Sequence, residues 1–183
     1  DCGAAAEPTR YLRWRVQALD LGRSGLRSRL AAFKAPVAER SNAALVQKEI
    51  EALPESTCVL ENADWKVLCS DASRLPAALL EIGRLRELSF RPAGEGTGRP
   101  RDLDRYDRHY QQLILWNKTD NQLGGAYRFV FTADVLTAHG IRGLYTSSQF
   151  QFETDFFDTL GPAMELGRSF VRIEYQKEFA PLL

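Results

Sequence analysis

The order of elements along these 183 residues predicts an α/β fold, in which helices pack on a sheet. Two observations carry that reading. "SRLPAALLEIGRLRELSFR" places Leu75, Leu79, Ile82 and Leu85 on one stripe, at the spacing of an amphipathic helix. "YQQLILWNK" and "LGGAYRFVFTA" are apolar runs separated by "TDNQ", the pattern of two strands joined in a hairpin. Composition agrees: 44% hydrophobic and 26% charged is ordinary for a globular domain. The net charge of zero gives no global field toward nucleic acid or an anionic membrane.

Residues 1–40 differ from the rest. "RYLRWRVQALDLGRSGLRSRL" carries Arg10, Arg13, Arg15, Arg23, Arg27 and Arg29, with Leu12, Val16 and Leu19 at helical spacing. Such a basic helix either docks on an acidic partner or a membrane surface, or is a solvated arm. "AFKAPVAERS" reads as a linker. Residues 1–50 are therefore expected to form a basic helical extension and linker, and residues 51–183 the main domain.

The remaining elements follow in order. "SNAALVQKEIEAL" is a helix capped by Ser41 or Asn42, and Pro54 stops it. "STCVLENADWKVLCS" reads as two short strands around an Asn-Ala-Asp turn. In the next helix Ser73 is the expected cap, and Pro76 is tolerated in the first turn. "RPAGEGTGRPRDLDRYD" is a polar loop. After the hairpin, "SSQFQFETDFFDTLG" reads as a short strand and a helical turn, "PAMELGRSFVRIEY" as a strand, and "QKEFAPLL" as the opening of a helix. A last buried strand normally has a neighbour on each side. The domain is therefore expected to be incomplete at the C-terminus, or completed by another chain.

Several function classes lack their signatures. Cys2, Cys58 and Cys69 have neither CxxC nor zinc-ligand spacing, and His109 and His139 are not at metal-ligand spacing, so no metal is expected. The cysteines are expected to stay reduced, as in a cytosolic protein. No GxSxG elbow is present. No apolar run approaches the roughly 20 residues of a membrane span, and the N-terminus lacks the pattern of a signal peptide.

The informative feature is charge in apolar surroundings. Glu165 and Arg168 sit in "MELGRSFV", and Arg128 in "GGAYRFVF". A buried charge is costly unless it is paired and hydrogen-bonded. Residues three apart on a regular strand point to opposite faces, so Glu165 and Arg168 are expected to find separate partners. Arg128 is a candidate for Glu165, and an aspartate of "DLDRYD" for Arg168. Asp102, Asp104 and Asp107 in that motif lie close enough to raise one another's pKa and leave one poised as a base, or they form a solvated turn or helix cap. The whole set is either a structural ion-pair network or a site for an amine and a carboxylate.

The run "EIGRLRELSFRPAGEGTGR…DLDRYDRHYQQLILWN…QLGGAYRF…GLYTSSQF…LGPAMELGRSFVRIEYQ", about residues 74–180, resembles the hemolysin-like and ornithine acyl-carrier-protein N-acyltransferases of the GNAT superfamily. It is more distantly similar to acyl-homoserine-lactone synthases and N-acyl amino acid synthases. The resemblance implies a GNAT-like mixed central sheet flanked by helices, with a cleft for a phosphopantetheine thioester. Arg86 and Phe90 match the arginine and aromatic residue that close the first helix of the lactone synthases. Asp102, Asp104 and Asp107 match their acidic motif, Arg128 their strand arginine, and Glu165 and Arg168 their Glu-x-x-Arg. The lactone synthases' tryptophan after that helix is replaced by "PAGEGTG".

The implied reaction is attack of an amino-acid amine, ornithine for example, on a long-chain acyl thioester. Asp104 or Glu165 would be the base, with Asp107 behind them. Backbone amides of "LYTSSQF", with Ser147 or Ser148, would receive the oxyanion. Arg128 and Arg168 would hold a carboxylate. Phe129, Phe131, Phe150, Phe152, Phe156 and Phe157 would line the acyl chain, or are plain core. The donor would be acyl carrier protein or coenzyme A, with no permanently bound cofactor. The implied location is the cytoplasm, with a possible peripheral contact at the inner membrane. A lactone-type signal synthase and a non-catalytic acyl-binding module are the alternatives.

Overall fold

The computed structural model describes residues 34–153 and 155–176. The chain divides into two compact units, Asp1–Ala35 and Pro36–Leu183. The expected basic helix at 10–29 and the helix start at 177–183 lie outside the described residues.

Helix α1, Ala43–Glu51, begins where Asn42 can cap it: Asn42 Oδ1 accepts the amides of Ala44 and Leu45 at 3.0 and 3.2 Å. Its Val46 and Ile50 are buried in the main core. The expected division at residue 50 thus falls inside the second unit, to which α1 belongs. Helix α2, Pro76–Phe90, starts at Pro as predicted, but Ser73 is not its cap. Ser73 lies in a separate 3₁₀ turn, Ala72–Arg74. The carboxylate of Glu49, from α1, accepts the amides of Ala77 and Ala78 at 2.8 Å instead. Negative charge is favourable at that end of a helix, and here it also ties α1 to α2.

The strands are β1 Cys58–Glu61, β2 Trp65–Asp71, β3 Gln111–Asn117, β4 Gln122–Phe131 and β5 Met164–Val171. They form one sheet in the order β1-β2-β3-β4-β5, and all four pairings are antiparallel. The parallel pairing implied by a mixed sheet is not among the described strands. Between β1 and β2, Asn62 Oδ1 accepts the amides of Asp64 and Trp65, which fixes the Asn-Ala-Asp turn. Helix α3, Thr132–His139, follows β4 directly where the sequence reading extended the strand. Gly140, at φ 63°, ends it. The expected strand in "SSQFQF" is absent: Thr146–Ser148 is a 3₁₀ turn, and residues 149–153 have no strand pairing. A short helix α4, Phe156–Leu160, precedes β5.

Strand alternation organises the inner face of the sheet into rows. Leu68, Ile114, Ala126 and Phe170 stand opposite one another and meet α1 and α2 in the larger apolar core. The next row is polar: Ser70, Gln112, Arg128 and Gly167. Beyond it Val130 pairs with Glu165, beside a second apolar cluster of Tyr106, Tyr110, Val135 and Leu144. A belt of polar side chains therefore crosses the sheet between two apolar clusters.

Candidate active site

Three arginines and four carboxylates meet on that belt. Arg86 comes from α2 and is fully buried. It donates to Asp107 Oδ1 at 2.7 Å and to Gln112 Oε1 at 2.9 Å. Arg128 projects inward from β4, 1% exposed, and is 2.7 Å from Asp104 and 3.1 Å from Asp107. Asp104 and Asp107 also cap the 3₁₀ turn Arg105–Arg108: Asp104 Oδ1 accepts from Tyr106 N, and Asp107 Oδ2 from Asp104 N. The cap and the ion-pair readings of "DLDRYD" therefore both hold. Mutual repulsion does not dominate at Asp107. Burial pushes its carboxyl up, but Arg86 and Arg128 outweigh this and hold it below the ordinary value.

Asp102 is placed by a close contact between its loop and α2. Its amide donates to Gly83 O at 2.8 Å, and Leu103 sits where a side chain on Gly83 would be, 2.5 Å from the nearest such position. The Asp102 carboxylate is buried, which pushes its pKa up despite Arg168 and Arg86 nearby. Arg168 Nε approaches Asp102 Oδ2 to 3.5 Å, the pairing the sequence predicted, without forming a hydrogen bond. The Phe90 ring centre lies 6.0 Å from the Arg168 guanidinium, so the aromatic residue that ends α2 also reaches this group.

The prediction that Glu165 and Arg168 face apart fails, for a definite reason. Ala126 and Arg128 are two apart on β4, yet their partners on β5, Phe170 and Gly167, are three apart. The extra residue is a β-bulge, and Arg168 takes φ 55° there, a conformation most non-glycine residues avoid. Beside it, a Cβ on Gly125 would come within 2.6 Å of Phe170 O, so glycine is needed for this approach of β4 to β5. The bulge shifts the phase of the strand. Arg168 then lies 5.4 Å from the Tyr145 ring, and Glu165 binds the adjoining residue, Thr146.

Contrary to the expectation that Arg128 is its partner, Glu165 pairs with groups the sequence reading missed, while Arg128 is taken up by Asp104 and Asp107. Glu165 Oε1 accepts from the Tyr110 hydroxyl at 2.9 Å, and its Oε2 from the Thr146 hydroxyl at 3.0 Å. Tyr110 is three residues after Asp107 and starts the alternation Tyr110, Gln112, Ile114 that defines the inner face; that alternation is the signal that points to it. Thr146 has no comparable local signal.

The turn 144–150 is poorly suited to receive an oxyanion. The amides of Ser147, Ser148, Gln149 and Phe150 bond carbonyls of the same turn, and Tyr145 N bonds the Tyr110 hydroxyl. The Ser147 and Ser148 hydroxyls donate to Leu144 O and Tyr145 O. The expected aromatic set falls into groups: Phe129 and Phe131 line a cavity of about 380 Å³ with His109 and His139, while Phe152, Phe156 and Phe157 stack on one another. Phe150 is exposed. Among the described residues there is no cluster of histidine, cysteine or carboxylate groups fit to hold a metal, and no helix long and apolar enough to cross a membrane.

Comparison with known proteins gives this geometry a context. The sequence profile described as "Acetyltransferase (GNAT) domain" matches residues 85–183. Two curated proteins named glycine N(alpha)-acyltransferase are similar over 106 residues, one from Phocaeicola vulgatus at 43% identity and one from Bacteroides thetaiotaomicron at 45%. The matched region is 55% of this chain and 32% of each relative, so the chain spans about a third of their length. No solved structure matches the chain.

Proposed function

The chain belongs to the acetyltransferase (GNAT) family, and from that premise we propose that it takes part in N-acyl transfer from a phosphopantetheine thioester to the α-amine of an amino acid. The names of its relatives favour glycine over ornithine as the acceptor. The observation that carries the reading is the bulge in β5, which brings Glu165 and Arg168 to one face beside Asp102. A carboxylate and a guanidinium on one face match the two charges of an amino-acid zwitterion.

The roles follow from what each group has left to offer. Glu165 takes the ammonium proton, so that the amine lone pair can attack the thioester carbonyl. The Arg168 Nε has no hydrogen-bond partner among the described residues, and the guanidinium receives the substrate carboxylate. Asp102 and Phe90 orient Arg168. Asp107 accepts three contacts, from Arg86, Arg128 and the Asp104 amide, and these occupy most of its roughly four acceptor sites. Its two arginine partners hold it below the ordinary value, so it anchors the arginines rather than serving as base, whereas the donors on Glu165, from Tyr110 and Thr146, are neutral. Asp104 is more open and stands second to Glu165 as the base. Amides at the β5 bulge replace those of 144–150 as donors to the oxyanion. The donor is acyl carrier protein or coenzyme A, and an acyl-glycine product would suit a peripheral contact with a membrane.

The test is to incubate the purified chain with long-chain acyl carrier protein or acyl coenzyme A and an amino-acid mixture, and to identify products by mass spectrometry. N-acylglycine that disappears in Glu165→Ala and Arg168→Ala supports the reading. Another N-acyl amino acid would correct the acceptor. No product with either donor from the folded chain, nor from the same chain extended to its relatives' length, would overturn it.

A further inference from the structure

Tyr110 is buried at the head of β3, and the reaction above gives it no role. It nevertheless touches more of the site than its neighbours do. Its hydroxyl donates to Glu165 Oε1 and accepts the Tyr145 amide, each at 2.9 Å. Its ring centre lies 5.1 Å from the Arg128 guanidinium. The direction of the hydrogen bonds is forced. The Tyr145 N–H can only donate, so the hydroxyl proton is left for Glu165. Burial, together with Glu165 beside it, pushes the Tyr110 phenol above its ordinary value, so it remains a donor across the working range.

We propose that Tyr110 is a positioning residue that fixes the orientation of Glu165 and holds the Tyr145–Thr146 turn over the same carboxylate. The inference rests on Glu165 being the base of the proposed reaction. With the Tyr110 hydroxyl on Oε1, the Thr146 hydroxyl on Oε2 and the Thr146 amide near both, the carboxylate is fixed in rotation. The substrate ammonium gives its proton to Glu165. The freed amine forms the C–N bond, the C–S bond breaks, and the leaving thiolate takes up the proton that the newly bonded nitrogen loses. The charged or titratable groups that face Tyr110 are Arg128 from β4, Tyr106 and His109 from the preceding turn, and Tyr145.

The experiment compares wild type, Tyr110→Phe, a fluorinated tyrosine at position 110, and His109→Gln. Two readouts are taken: kcat and KM for the amine, and the carbon NMR spectrum of labelled glutamate side chains. The Glu165 resonance is the one missing in Glu165→Gln. Tyr110→Phe should shift the Glu165 resonance and lower kcat about ten-fold with KM little changed. The fluorinated ring, a stronger donor of the same shape, should shift the resonance the other way and keep kcat, and His109→Gln should leave the resonance in place. A resonance unmoved in a folded Tyr110→Phe, or in the fluorinated protein if Tyr110→Phe does not fold, overturns the inference. Resonances that move as expected while neither the chain nor its extended form shows turnover support the coupling of Tyr110 to Glu165 and overturn the acyl-transfer reading instead.

Discussion

Glu87 and Asp102 are both buried carboxylates near an arginine, one on α2 and the other on the loop that follows, and they are used in opposite ways. Glu87 accepts from Arg91 Nε, the Thr97 hydroxyl, and the amides of Thr97 and Gly98, all between 2.7 and 2.9 Å. Asp102 has only the 3.5 Å approach of Arg168 and no side-chain hydrogen bond among the described residues. Burial pushes both carboxyls up. At Glu87 the donors outweigh it and hold the group below its ordinary value, whereas Asp102 stays above. Burial of a charge thus does not mark a site by itself. Unfilled acceptor capacity distinguishes Asp102 from Glu87, the latch that fastens the 91–101 loop to α2.

The largest effect expected is on turnover. Glu165→Gln keeps the shape and removes the base, so kcat/KM should fall by about 10² to 10⁴. In a urea titration the same variant should lose less stability than Glu87→Gln: its amide oxygen can still accept from Tyr110, and the new NH₂ meets Thr146, whose hydroxyl can rotate to accept from it. In Glu87→Gln the stability should change and not the turnover. Its NH₂ faces donors, and the loss should be about 2–3 kcal/mol of stability in a urea titration, with kcat unchanged while the protein is folded. The sign with pH is defined. Glu87 has a depressed folded-state pKa, so its contribution is present above the unfolded value of about 4.3 and is lost as pH falls through the folded value. The gap between wild type and Glu87→Gln should therefore close in acid.

The parts of the site that were legible in the sequence are those with local causes. A cap at Asn42 and a stop at Pro54 located α1, apolar spacing located α2, and the turn chemistry of "ENADW" and "KTDNQ" located the hairpins. An arginine among strand residues gave Arg128, and the need for a partner paired Arg168 with an aspartate of the right motif. What was missed depends on distant or single-residue causes. Glu49 caps a helix 28 residues away. One inserted residue in β5 reverses the face of Arg168, and the only local trace is Gly167 beside it, since glycine inside a strand often marks a bulge. Thr146 meets Glu165 through a turn whose course depends on α3, and α3 was read as the end of a strand.

The bulge offers a sharper contrast between stability and function. Arg168 occupies a left-handed conformation at φ 55° that glycine adopts without cost. Arg168→Gly should therefore gain about 1 kcal/mol of stability from relieved strain. It should also raise the KM for the amino acid by roughly ten-fold or more as the carboxylate partner disappears. Equal or lower stability in urea would mean that the contact with Asp102 and the Phe90 ring outweighs the strain.

The smallest effect concerns Asp102, the carboxylate that is buried without the donors that hold Glu87. Its folded-state pKa is raised, chiefly by burial. A raised carboxyl contributes stability that is fully present below the unfolded pKa, about 3.9, and is lost as pH rises through the folded value. At pH 7 the ionised form is therefore a net cost to the fold. Asp102→Asn removes that charge without removing a hydrogen bond, so it should be neutral or stabilising by less than about 1 kcal/mol at neutral pH. The difference should vanish when both proteins are titrated near pH 3. The same variant removes the one carboxylate that pairs with Arg168 among the described residues, so the KM for glycine should shift while kcat changes little. A loss of stability at pH 7 comparable to that of Glu87→Gln would mean that Asp102 is as tightly held as Glu87, and would place both carboxylates in the scaffold.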